Sequence, residues 1–176
     1  MGQSISTLRR RHSTRTLRDL AAPRDQTISP PTLTRKNLTD ALQNVADYLA
    51  SKKQNITLII VGGAINTLLL QSRTHTHDVD FFNDSLTAAE VKCLSKVAKS
   101  ALKNNQELGS EWLNNRTVLF IPAHIRRVLM AEAIGQHTIV FQALGLTALA
   151  APWEYLFCAK TDRLSGHGNS TVQPYD

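Results

Sequence analysis

The chain has 176 residues, 42% of them hydrophobic, and two cysteines, Cys93 and Cys158. That length suits one domain plus a tail, and no apolar run reaches the roughly 20 residues that span a bilayer. The formal charge of +6 sits entirely in the first 36 residues, where eight basic side chains face two acidic ones, and the remainder is balanced; this argues against a body built as a broad polyanion-binding surface.

Residues 1–36 are rich in Ser, Thr, Arg and Pro without apolar periodicity, and read as a disordered basic arm ending near Pro30-Pro31. The arm opens Met1-Gly2-Gln3-Ser4-Ile5-Ser6, the pattern for myristoylation of Gly2. Arg9, Arg10, Arg11, Arg15 and Arg18 follow. One acyl chain binds membranes only marginally and a polybasic patch is a recognised second signal, so the arm is expected to meet an anionic membrane surface. The neutral body and the lack of interleaved aromatics argue against a nucleic-acid arm. The N-terminus has no continuous apolar region of a secretory signal. The cysteines lack metal or redox spacing and fall among apolar neighbours in predicted helices, so they read as buried free thiols of a cytoplasmic protein.

The predicted domain occupies residues 37–165. Leu38, Ala41, Leu42, Val45, Ala46 and Leu49 recur at helical spacing. Ile56-Thr57-Leu58-Ile59-Ile60-Val61 is a β-branched run between Asn55 and Gly62, as in a buried strand. A short helix should follow through Ile65, Leu68 and Leu69, then a strand over residues 78–82. Thr87-Ala88-Ala89-Glu90 is a capping box opening a helix that faces inward with Val91, Leu94, Val97, Ala98 and Ala101. Residues 117–121 suggest a strand. Pro122 and Gly135 bracket a further helix carrying Arg126-Arg127 on its surface. Residues 138–141 and 144–149 suggest two more strands, and Pro152 starts a last helix packed through Trp153, Leu156, Ala159 and Leu164. Residues 166–176 read as a flexible tail, and the abrupt stop after Tyr175-Asp176 as that of a fragment. Alternating helices and strands predict an α/β or α+β fold, with a mixed sheet flanked by helices.

Two features carry chemistry. The buried strand ends in Gly62-Gly63 and runs directly into a helix, and glycines let backbone N–H groups approach a phosphate. In Asp78-Val79-Asp80-Phe81-Phe82 the strand alternation puts both carboxylates on one face, with Val79 and Phe81 pointing into the core. Two such carboxylates repel each other unless they share a hard cation. Mg²⁺ takes one or two carboxylates plus substrate phosphates, as in two-metal phosphoryl-transfer sites. A His-x-His-x-Asp-His metallohydrolase motif is broken at Val79 and Asp80.

The combination of strand, glycine pair, helix and Asp-hydrophobic-Asp strand resembles the DNA-polymerase-β-like nucleotidyltransferase superfamily. Its minimal nucleotidyltransferases and related toxin–antitoxin transferases look nearest. The resemblance rests on Val61-Gly62-Gly63, on Arg73-Thr74-His75-Thr76-His77 and on Asp78-Val79-Asp80-Phe81, and extends over about residues 56–165. It implies a glycine turn at Gly62 and Gly63 holding a nucleoside triphosphate, Mg²⁺ on catalytic Asp78 and Asp80, and a phosphate contact from Lys160, with Pro152 matching a proline ahead of that helix. It also implies transfer of a nucleotidyl group to a hydroxyl acceptor. Active members usually carry a third carboxylate on a later strand. The candidate strand here, residues 137–142, has none, and Glu132 and Asp84 are the nearby acids. The alternative is therefore a catalytically inactive binding protein of the same fold, tethered to a membrane by its N-terminus.

Overall fold

The computed structural model describes residues 30–164. The arm's Gly2 motif and arginine cluster, and the tail of residues 166–176, lie outside the described residues. The fold is mixed α and β, as the sequence suggests. Its elements run β1 (Leu33–Thr34), α1 (Arg35–Ser51), β2 (Ile56–Val61), α2 (Gly63–Leu68), β3 (His75–Thr76), β4 (Val79–Phe82), α3 (Ala88–Asn104), β5 (Leu113–Asn114), α4 (Ala123–Gln136), β6 (Ile139–Ala143), β7 (Leu146–Ala150) and α5 (Trp153–Leu164).

Five strands form the main sheet in the order β5-β4-β2-β7-β6. β2 lies at its centre, antiparallel to β4 and parallel to β7. The unbroken apolar run of β2 suits this place, because a central strand is covered on both faces. Leu58 and Ile60 point to one side and join Val79, Phe81 and Ala148 under α1, α2 and α3. Ile59 and Val61 point to the other and join Phe82, Leu149, Leu129 and Ala133, with Tyr155 and Leu156 of α5 packed alongside. Fully burying each of these isoleucines contributes about 1.5–3 kcal/mol, so the central strand anchors both layers.

The folded body begins earlier than residue 37. Leu33 is fully buried, β1 pairs with β3, and Thr34 caps α1 in a capping box with Asn37. Other expectations change as well. Residues Arg116–Leu119 form a 3-10 turn where a strand was predicted, because Asn115 and Arg116 turn the chain away from β4 after only two paired residues. α4 runs past Gly135, and its left-handed cap is His137 at φ 51°. Cys93 is half-buried but Cys158 is exposed, since α5 covers the sheet with only one of its faces. Arg126 is not a plain surface residue: its guanidinium donates to the carbonyls of Val118 and Ile121. Among the described residues, no helix is long and apolar enough to cross a membrane.

Candidate functional site

The end of β2 sets the site. Gly62 adopts φ 72° and ψ −143°, a backbone open to glycine and strained for other residues. A Cβ placed on Gly63 would stand 2.3 Å from Oγ1 of Thr76. The two glycines thus answer different demands: the first turns the chain, and the second admits β3 against the turn. α2 has only six residues, so its dipole is short and any anion must be held by side chains as well.

The carboxylates lie on the adjoining strand. Val61 pairs with Asp80 across β2 and β4. A Cβ on Gly62 would lie 3.5 Å from Oδ2 of Asp80, which puts that carboxylate directly beside the glycine turn. Asp78 immediately precedes β4. Val79 and Phe81, between and beyond the acids, are buried, so the predicted alternation holds and both carboxylates share the face of Phe82.

The neighbour that completes this face is Asn114. Asp80 pairs with Asn114 across β4 and β5. Asn114 is 1% exposed, and its Nδ2 donates to Asp78 Oδ2 at 3.4 Å and to the Glu111 carbonyl at 3.2 Å. Its Oδ1 accepts the Arg116 backbone N–H at 3.1 Å. The amide is therefore fixed with its donor side toward Asp78. β6, the strand searched for a third acid, lies beyond β2 and β7 from β4 and cannot deliver one here. Glu132 is exposed on α4. Asp84 is engaged by Arg126 and Arg127 at 3.7 and 3.2 Å. Among the described residues, no three His, Cys, Asp or Glu side chains gather as a metal-holding group. The oxygen donors left for a cation are the two carboxylates, since the amide oxygen is taken by Arg116; this fits a Mg²⁺ ion that takes its remaining ligands from water and phosphate.

Beside the turn opens a cleft of about 460 Å³ lined by Gly62, Gly63, Arg73 and Lys160, together with Trp153 and Phe157 among its other walls. The structure thus places Gly62, Gly63 and Lys160 along one cleft, with Arg73 as a second cation. A family model described as "Domain of unknown function (DUF7582)" matches residues 31–174. The chain belongs to this family. No curated protein and no solved structure matches it. The match starts beside β1, Leu33–Thr34, the first element among the described residues. His77 ties this N-terminal edge to the site by donating from Nδ1 to the Pro31 carbonyl at 2.8 Å. No local pattern points to Asn114: a two-residue strand shows no periodicity, and its importance lies in what it pairs with.

Proposed function

We propose that this domain binds a nucleoside triphosphate with Mg²⁺ and transfers its nucleotidyl group to a hydroxyl acceptor. The observation that carries the reading is the meeting of the Gly62-Gly63 turn, Arg73 and Lys160 in one cleft, with the Asp80 carboxylate against Gly62. Arg73 and Lys160 supply the charge that a triphosphate requires, since α2 is too short to supply much. Gly62 and Gly63 leave the backbone bare where phosphates would pass. Asp78 and Asp80 would hold Mg²⁺, which neutralises phosphate charge when bound. Catalysis on such a site is mainly positioning and charge stabilisation.

Calorimetry tests the reading directly, with each of the four NTPs, with and without Mg²⁺, on wild type and on Asp78→Ala/Asp80→Ala. Mg²⁺-dependent binding that is lost in the double variant is the expected outcome. Absence of binding to every NTP would refute it.

The orientation of Asn114 favours a second reading, nucleotide binding without transfer. A carboxylate there would add a charged acceptor beside Asp78, whereas the amide presents a donor and no charge. Pyrophosphate release from labelled NTP, measured against Asn114→Asp, separates the two. Release by the wild type supports transfer, and release only by the variant supports the binding role.

The basic N-terminal arm ahead of β1 adds the location: an acyl chain on Gly2 and the arginine cluster hold the domain at an anionic membrane surface. Unchanged membrane partition of Gly2→Ala in myristoylating cells would remove the lipid from this account.

A further inference from the structure

α5 carries two large aromatic side chains one turn apart that are left open to water. Trp153 is 41% and Phe157 70% exposed. Residues four apart on a helix lie on one face. Both line the same cleft as the glycine turn, and Lys160 follows one turn later on the same helix. On the inner side of α5, Tyr155 and Leu156 pack against the sheet, so the helix is anchored without the two outer rings. Its first turn is held independently too, because the Trp153 backbone N–H donates to Gln136 Oε1 at 3.1 Å.

Two exposed rings and two cations along one cleft ask for an occupant with a flat aromatic part and an anionic part. The cleft volume of about 460 Å³ lies in the range of small-molecule sites. We propose that Trp153 and Phe157 form the stacking ledge for the base of the bound nucleotide, with Arg73 and Lys160 toward its phosphates. The inference rests on the nucleotide reading of this cleft and extends it to base selection. Stacking takes any π face, and larger ring systems gain more from it. The site should therefore prefer purines over pyrimidines and separate adenine from guanine only weakly.

The test compares Mg²⁺·ATP, Mg²⁺·GTP, Mg²⁺·CTP and Mg²⁺·tripolyphosphate on the full chain and on Trp153→Ala, Phe157→Ala and Trp153→Phe. Stacking contributions of this kind correspond to losses on the order of ten-fold in affinity, expected in both alanine variants for ATP and GTP. Tripolyphosphate binding should be unchanged in them, and Trp153→Phe should recover most of the loss. Trp112 is buried and Trp153 is the other tryptophan of the chain, so quenching of exposed tryptophan emission by ATP should vanish in Trp153→Phe. If the alanine variants bind ATP as tightly as wild type, the ledge is refuted and the phosphate site stands. If wild type binds neither ATP nor tripolyphosphate, the nucleotide reading falls and the ledge with it. Circular dichroism of each variant establishes that it is folded.

Discussion

Substituting Gly63 by alanine separates the structural demand on the glycine turn from any ligand demand. The added Cβ would lie 2.3 Å from Thr76 Oγ1 and 3.2 Å from Thr76 Cβ. Thr76 is 8% exposed and its backbone is fixed opposite Leu33. Its branched side chain has few alternative rotamers, so the clash cannot be relieved by a simple swing. Overpacking of this kind costs about 1–3 kcal/mol. Alanine in place of a helical glycine returns about 0.5–1 kcal/mol, leaving a net loss of about 0–2.5 kcal/mol. Thr76→Ala removes the Oγ1, so Gly63→Ala should be close to neutral in that background, and a double-mutant cycle should give a coupling of about 1–2 kcal/mol. Gly62→Ala meets only Asp80 Oδ2 at 3.5 Å but must hold φ 72°. It should lose about 1–2 kcal/mol whether or not Thr76 is present. Urea unfolding followed by far-ultraviolet circular dichroism measures all of these. Equal losses for Gly63→Ala in both backgrounds would refute the steric account.

Two further predictions concern the supports of the site. Asp84 is 15% exposed, as is its partner Arg126 at 17%, whereas Arg127 is 79% exposed. Asp84→Ala leaves the Arg126 charge largely covered and without its counter-ion, and should cost about 1–3 kcal/mol; Arg127→Ala should cost less than about 1 kcal/mol, and equal costs in urea titration would contradict this division. At the start of α3 the Thr87 hydroxyl, and then its backbone N–H, donate to the Glu90 carboxylate and hold its pKa below the ordinary glutamate value. The folded chain thus releases this proton more readily than the unfolded one. The contribution is complete above the ordinary glutamate range and is lost as pH falls through the lowered folded value. Glu90→Gln keeps a capping box and should remove this part of the acid dependence in melts taken from neutral pH down through and below the ordinary glutamate range; an unaltered profile would show that the carboxylate contributes nothing.

Much of the fold is written locally. The apolar spacing of residues 38–49 defines α1, the Thr87–Glu90 box opens α3, and the run of residues 56–61 can only be a strand covered on both sides. The glycine pair and the Asp78/Asp80 alternation were legible for the same reason: each depends on a few consecutive residues and the period of a strand. What the sequence left open depends on partners distant along the chain. β1 and β3 have two residues each and exist because Leu33 meets Thr76, a contact that no local pattern encodes. The sheet order decides that β5, not β6, adjoins the acids, and so makes Asn114 the third group on their face. Packing also decided which side of α5 is covered, leaving Trp153 and Phe157 open beside Lys160. Local periodicity fixes which residues share a face; only the long-range pairing of strands and the burial of one helix side determine what that face confronts.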